Sequence, residues 1–429
     1  NQTNSTLGAG DGGIVSNVVL AACAATDKFT GQLLLVNAGA GVATHCVITN
    51  CTAWQQSDGS GGGMFLQVSS GRADNCLVAN NSFECKDVGT PKDENCSSSV
   101  RVAGGTLVNC TVANNRTSGL TTMLCAGVAV SGGKAVNTVI AANDSRSSRA
   151  HYSAWTGTAA NFVNCLVEPD YELPNDTCVA GYPLFISPLN RDYRLSAASP
   201  CRNVGTNATT WTYGTTDLAG QPRQREVGGG TTIDLGAYQY DETVVEPSRV
   251  HYVDANGTNP VSPYDTPATA ATDVFDALKV TDWGHELRLL PGVHPVAKSV
   301  DITRDHITVC GTTGDPKDVV IRAVTSSNRC MKVNAGTHTL VHSLTLADGS
   351  GGSGGPAKGR NAVTGACLVL ADVSQSANGS GDDGLVETGR FAFVRSPFVY
   401  RTKTAQPGFV RLRAYVVDAT GKRYQKVYT

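Results

Sequence analysis

Between residues 14 and 170 the chain repeats one short alternation of apolar and polar positions. The copies read "THCVITNCTA" (44–53), "GRADNCLVANNS" (71–82), "GGTLVNCTVANNRTSG" (104–119), "GGKAVNTVIAANDS" (132–145) and "NFVNCLVEPD" (161–170). Taking Cys110 as a mark, the equivalent positions are Val18, Cys46, Cys76, Cys110, Thr138 and Cys165, in steps of 28, 30, 34, 28 and 27 residues. Two places beyond each mark stands another apolar residue: Ile48, Val78, Val112, Ile140 and Val167. A period of two puts mark and partner on one face of a strand. A second strand precedes each mark, in "GGGMFLQVSSG", "SSVRVAGG" and "AGVAVSGG".

Repeats of this length, with short strands and no helix-length segment, predict a solenoid in which equivalent strands pair in parallel about 4.8 Å apart. Leucine-rich repeats would need a regular Leu spacing and a helical half. A propeller blade would need four strands in roughly 40 residues. The expectation is an all-β chain built as a parallel β-helix. Small inward residues stack in columns, so Cys46, Cys76, Cys110 and Cys165 are structural, packed thiols. Asn80–Asn81, Asn114–Asn115 and Asn143 close the strand at one point of each repeat. Asn tolerates the left-handed backbone of a sharp corner, and its amide can bond along a stack, so Asn81 and Asn115 are also structural. Asn50, Asn109 and Asn115 lie in N-x-S/T sequons, which a repeat rich in Ser, Thr and Asn produces by chance.

Composition agrees. Charged residues are 16% of the chain, Gly numbers 47 and net charge is −2, so no basic field exists for nucleic acid. No run approaches the roughly 18 apolar residues of a membrane span. The first residues, "NQTNST", contain neither Met nor an apolar leader, and the expectation is a soluble piece with its leader removed or an excised fragment. Fourteen cysteines would suit an oxidising compartment, but four of them hold one repeat position.

From residue 182 the text changes to "PLFISPLNRDYRLSAASPCRNVGT" and then "TDLAGQPRQREVGGGTTIDLGAYQY". Ser199-Pro200, Gly205, Asp217, Gly220, Arg223, Asp234, Leu235, Gly236 and Ala237 match an SPxxxxG, DxxGxxR, DIGAxE series. The chain here resembles bacterial secreted right-handed β-helix proteins of the pectin-lyase-like superfamily. Gln239 stands where that family has Glu. The resemblance spans roughly residues 10–371 and implies a right-handed coil and an extracellular or cell-surface setting. It implies no single activity, because the superfamily holds lyases, hydrolases, adhesins and tail spikes. Asp217, Arg223 and Asp234 are expected to form a salt-bridged cap that seals the open end of the coil.

After "DETVVEPS" a second beginning follows, "VHYVDANGTNPVSPYDTPATAATDVFDALKVTDWGHELRLLPGVH". Thr266-Pro267 suits a helix start, and Val274, Phe275 and Leu278 give a short apolar face. The same family often opens with such a text, which reads as the first turns of a second coil. The last residues, "GRFAFVRSPFVYRTKTAQPGFVRLRAYVVDATGKRY", read as long alternating strands with a "DATGK" hairpin signal, part of a β-sandwich. They faintly resemble the sandwich ahead of some bacterial acetyl-esterase domains. The expected organisation is repeats over 1–185, a terminal segment over 186–245, the N-terminal part of a second β-helix over 249–371, and a linker with a partial sandwich over 372–429.

Lyase or hydrolase chemistry on such a coil needs carboxylates stacked at equivalent positions. Two places before the mark stand Thr44, Asp74, Val108, Val136 and Val163; four places before it there is no acid; three places after it Glu168 is the only one. The register therefore offers no acid stack. The insertion "FECKDVGTPKDENC" (83–96) gathers Asp87, Asp93 and Glu94 as candidate ligands for Ca²⁺ or a sugar, with Cys85 and Cys96 as a candidate disulfide. Trp54 and Trp155 are loop aromatics able to stack on sugar rings. His338 and His342 read as strand residues too far apart to share a metal. No cofactor motif occurs, and Ca²⁺ is the one ion with candidate ligands. The sequence reading is a secreted or cell-surface scaffold with a structural or carbohydrate-contacting role and no recognisable active site, polysaccharide being the candidate partner. Its rivals are a polysaccharide lyase or glycoside hydrolase acting on an acidic polysaccharide, and a tail-spike-like or adhesin module. Its oligomeric state is not legible.

Overall fold

The computed structural model describes residues 7–348, apart from 11, 26–32, 37–38, 40, 57–62, 87–97, 120–124, 148–152, 169–172, 209, 211–213, 305, 325–329 and 334–338. Beyond 348 it describes the strands Leu368–Leu370, Phe391–Val394, Leu412–Val417 and Arg423–Tyr428. The chain divides into two compact parts, Asn1–Glu246 and Pro247–Thr429.

In the first part the repeats give strands in turn to four parallel sheets, here A to D, and the last repeat gives none to D. The repeat around Cys110 supplies Ser98–Val102 to A, Thr106–Val108 to B, Thr111–Ala113 to C and Arg116–Gly119 to D. Pairing follows the sequence register: Thr111 lies opposite Leu77 and Val139, and Leu77 opposite Val47. The mark residues therefore align, each one place before its strand in sheet C.

Two corners are built identically in repeat after repeat. Between sheets B and C, Asn17, His45, Asn75, Asn109, Asn137 and Asn164 all take positive φ, from 48° to 55°. Between C and D, Ala22, Asn50, Asn80, Asn114 and Ala142 do the same. Asn suits this region because its short polar side chain bonds locally. The residue after the second corner points inward, and three of these amides form a ladder. Asn81 Nδ2 donates to Asn115 Oδ1 at 2.9 Å, and Asn115 Nδ2 donates to Asn143 Oδ1 at 2.9 Å. The same nitrogens also reach the carbonyls of Ile48 and Val78. Beside the ladder, the buried Glu168 accepts from the N–H of the corner residue Ala142 at 2.9 Å. Cys46, Cys76, Cys110 and Cys165 are 0–1% exposed within a core of Val, Ile, Leu and Phe.

Sheet C departs from simple alternation. Leu77, Val78 and Ala79 are all buried, as are Thr111, Val112 and Ala113, and Val139, Ile140 and Ala141. Its outer face is covered by the segment that follows the repeats. The antiparallel pair Phe185–Ser187 and Asp192–Leu195 brings the Tyr193 hydroxyl to Asn80 Oδ1 at 2.9 Å. Further along, Gly236 (φ 90°) rests on Thr111 and Val139, where a Cβ would lie 2.7 Å from the Thr111 hydroxyl oxygen. Val19, in the outermost repeat, is 64% exposed. The run "CLVAN" is thus apolar on both faces because both faces are covered. The expectation of a seal over the open end is corrected: the segment lies along the side of the repeats.

The second part stacks three parallel sheets. The first pairs Val250–Val253, Glu286–Leu289, Ile307–Gly311, Thr339–His342 and Phe391–Val394 in that order. The other two hold Gly292–Val296, Val319–Ala323 and Thr345–Ala347, and Val300–Ile302, Met331–Val333 and Leu368–Leu370. The helix is Val274–Val280, capped by Asp273, whose Oδ1 accepts from the Phe275 N–H at 2.6 Å. Pro267 instead opens a single 3-10 turn, Pro267–Thr269, so the cap and not the proline sets the start. Val274 and Ala277 pack into the core with Val253, Leu287 and Val309. Phe391–Val394 joins the first sheet in parallel, where the sequence had placed it in a sandwich. Leu412–Val417 and Arg423–Tyr428 form the antiparallel hairpin that "DATGK" signals.

Candidate functional site

The residues expected as a cap form a buried polar junction between the covering segment and the corner asparagines. Arg223, 2% exposed, donates from Nε to Asn75 Oδ1 at 2.7 Å. Its terminal nitrogens reach Gln239 Oε1 and the Asn109 carbonyl at 3.3 Å and the Gly236 carbonyl at 2.7 Å. Burial lowers the guanidinium to about 10. Asp217 receives the backbone N–H groups of Ala219, Gln221 and Gln239. Asp234 receives those of Asn203 and Tyr240 and pairs with Arg225 at 2.9 Å. The expected salt-bridged trio is corrected in its partners: amides and carbonyls hold Arg223, while the carboxylates organise their own turns. The reason is supply, since the B–C corners against which the segment lies are five Asn and His45, and none is an acid. Asn137 continues the seam, exchanging two hydrogen bonds with Thr206.

Asp74, the one acid in the row two places before the mark, is 1% exposed and fully engaged. Thr44 Oγ1 donates to it at 2.5 Å, Asn75 Nδ2 at 3.0 Å and Arg72 Nε at 2.9 Å. His45 links this cluster to the covering segment, with Nδ1 2.8 Å from Thr44 Oγ1 and Nε2 3.1 Å from the Thr216 carbonyl. So committed a carboxylate fastens the segment and is not placed to move a substrate proton.

Of the expected ligand residues, Trp155 lies in the strand Ser153–Gly157, opposite Val128, and packs edge-on to Phe162 with centroids 5.0 Å apart. It is a half-buried core residue, which corrects its placement on a loop. Trp54 lies in the strand Thr52–Gln56 opposite Glu84. Asp87, Asp93, Glu94 and Cys96 lie outside the described residues.

One edge of the first part differs from the others. Sheets B and C, and sheets C and D, are joined by two residues in every repeat that has both strands. From sheet D to the next strand of sheet A the connections are 26–33, 57–62, 87–97, 120–124 and 148–152. All the large variation in repeat length is therefore placed at this one edge. Trp54 with Glu84, Gln55 with Cys85 and Gln56 with Lys86 are the register pairs that lead into it.

The second part carries a cluster that the sequence reading missed. Tyr252, Arg288, Cys310 and His342 are successive register partners on the first sheet. Glu286 pairs with Arg288 at 2.8 Å and accepts from the Cys310 thiol at 3.1 Å. Burial, with the Glu286 hydrogen bond, pushes that thiol up to about 12, so it is not a thiolate near neutrality. Aligning "ELRLL", "ITVCG" and "TLVHS" would have found this row. Among the described residues no group of three His, Cys, Asp or Glu side chains could hold a metal ion, and no helix is long and apolar enough to cross a membrane.

No protein-family model matches the chain. No curated protein matches it significantly.

Proposed function

We propose that the first part is a right-handed parallel β-helix of the pectin-lyase-like kind, and that it works outside the cell or at its surface as a rigid carrier of a carbohydrate-binding edge. The second part is the beginning of a second such coil. One observation carries the reading: two corners of each repeat are fixed at two residues, whereas the D-to-A connections run from 5 to 11 residues. In a stacked array, insertions collect on one face, and that face is often the binding face. The fixed corners carry the stacking contacts, so loops there cannot vary without breaking the Asn ladder. The variable edge is free to hold specificity. Its longest connection, 87–97, contains Asp87, Asp93 and Glu94, and the strands entering it carry Trp54, Gln55, Gln56 and Glu84. Indole, amide and carboxylate groups suit the apolar faces and hydroxyls of a sugar. The acids of the same connection also favour, as the second reading, Ca²⁺-assisted cleavage of an acidic polysaccharide.

The test is retention of the chain on immobilised acidic and neutral polysaccharides, with release of reducing ends measured in parallel, with and without Ca²⁺. Retention lost in the Asp87→Ala, Asp93→Ala, Glu94→Ala triple variant, without new reducing ends, supports the carrier. Reducing ends that vanish in the same variant would establish the second reading. No retention and no release across the panel would sink both.

A further inference from the structure

We propose that Cys23 with Cys51, and Cys165 with Cys178, are disulfide-forming thiol pairs that staple the two outermost described repeats when the chain meets a small-molecule disulfide. Cys23 and Cys51 each stand one place before the register partners Ala24 and Thr52, and the Thr52 N–H donates to the Cys23 carbonyl at 2.8 Å. Cys165 and Cys178 repeat this geometry: each precedes one of the partners Leu166 and Val179, and the Val179 N–H donates to the Cys165 carbonyl at 2.8 Å. Neighbours in adjacent strands lie about 4.8 Å apart, inside the roughly 4.4–6.8 Å Cα span of a disulfide. Ala24–Ala25 and Val179–Ala180 are the edge strands of sheets D and C. Both pairs therefore sit where a repeat has a neighbour on one side only and opens most readily.

Each pair also has an entry thiol and a sheltered partner. Cys23 is partly exposed and Cys51 only 1%; Cys178 is 6% exposed and Cys165 0%. The neighbouring Cys165 thiol draws Cys178 below the ordinary thiol range. The central thiols differ. Cys46, Cys76 and Cys110 are all at most 1% exposed, although their thiols bond the carbonyl two residues back just as those of Cys23, Cys51 and Cys165 do. They have no entry member.

The exchange balances in two steps. The entry thiolate attacks one sulfur of the small disulfide, whose S–S bond breaks and releases one thiolate. The sheltered thiol loses its proton and attacks the entry sulfur, expelling the second small thiolate. Two protein thiols have then lost two electrons, the small disulfide has become two thiols, and the two protons have passed to the leaving groups.

The experiment is to incubate the whole chain with oxidised glutathione, alkylate remaining thiols in denaturant, digest, and map peptides without reduction. Expected are Cys23–Cys51 and Cys165–Cys178 cross-linked peptides, alkylated Cys46, Cys76 and Cys110, and a Tm raised by roughly a few degrees until a reductant is added. Recovery of the four cysteines alkylated, or joined to other partners, would overturn the proposal. In Cys51→Ala and Cys165→Ala, glutathione should remain trapped on Cys23 and Cys178. Absence of those adducts would overturn the assignment of entry thiols.

Discussion

Arg223 Nε donates to Asn75 Oδ1 at 2.7 Å, joining residues 148 positions apart. Asn75 is itself a corner residue with φ 52°. One side chain thus finishes the turn of a repeat and holds the arginine of the covering segment.

Removing either partner strands the other. Asn75→Ala leaves the Arg223 Nε–H buried without an acceptor and places Ala at a left-handed position. Roughly 2–4 kcal/mol of stability should be lost, read by urea unfolding of the chain. Limited proteolysis should show new cleavage between residues 202 and 240. A midpoint unchanged within error would mean that the segment is held elsewhere.

Gln239 invites the opposite change. Its Oε1 accepts from Arg223 and from the Asp234 N–H, while its Nε2 is buried with no partner. Gln239→Glu exchanges that orphan donor for a carboxylate beside a buried cation, and should raise stability by about 1–2 kcal/mol at pH 7. The sign is checkable. The new carboxylate should titrate below its unfolded value, so its gain is present above about pH 4.3 and is lost as pH falls through the lower folded value. Equal or lower stability at pH 7 would show that repulsion from Asp217 and Asp234 outweighs the pairing.

The inward ladder predicts a larger loss. Asn115 serves both neighbours, accepting from Asn81 Nδ2 and donating to Asn143 Oδ1. Asn115→Ala leaves the Asn81 Nδ2 and backbone N–H without the Asn115 acceptor, takes from Asn143 Oδ1 one of its two donors (the backbone N–H of residue 115 stays), and removes the side-chain donor to the Val78 carbonyl. About 3–5 kcal/mol should be lost by urea unfolding. Asn114→Gly is the contrast: its φ of 53° suits glycine, and only the bond from its side chain to Asn80 is forfeited.

What the sequence made legible was whatever recurred. Cys110 and its equivalents carry the register because every repeat solves the same packing problem. Asn80, Asn81, Asn114 and Asn115 signal corners because left-handed backbone admits few residues. The cover over sheet C recurs nowhere, so its docking on Thr111, Asn75 and Asn137 left only an indirect trace, the apolar outer face at Leu77 and Val139. Trp155 was misplaced because a loop aromatic and a strand aromatic look alike until Val128 stands opposite. The Arg288, Cys310 and His342 row needed the register of the second part, whose repeats are too few to advertise it.

A buried histidine pair in that second part yields a pH prediction. His251 Nδ1 lies 2.7 Å from the Pro263 carbonyl, so it donates, and its Nε2 must accept from His285 Nδ1 at 2.8 Å. His285 Nε2 is then a bare lone pair, buried without a partner. Burial first, then the charges of His251, Arg249 and Arg304, pushes His285 down to about 3; burial lowers His251 as well. Asp265 and Asp282 are the nearby acids: both add opposite charge to His251, and Asp282 adds it to Arg304 as well. A histidine depressed on folding contributes stability that is full above its unfolded value of about 6.5 and falls as pH drops toward the folded value. Stability of residues 247–348 should therefore decline from pH 7 to pH 5, each such proton adding up to about 1.4 kcal/mol per pH unit. Hydrogen exchange of peptides from the helix and the strand Glu286–Leu289 should report it. In His285→Gln the decline should be shallower by as much as one proton, whatever the variant's stability at pH 7. An identical slope would show that His285 takes no proton between the folded and unfolded states.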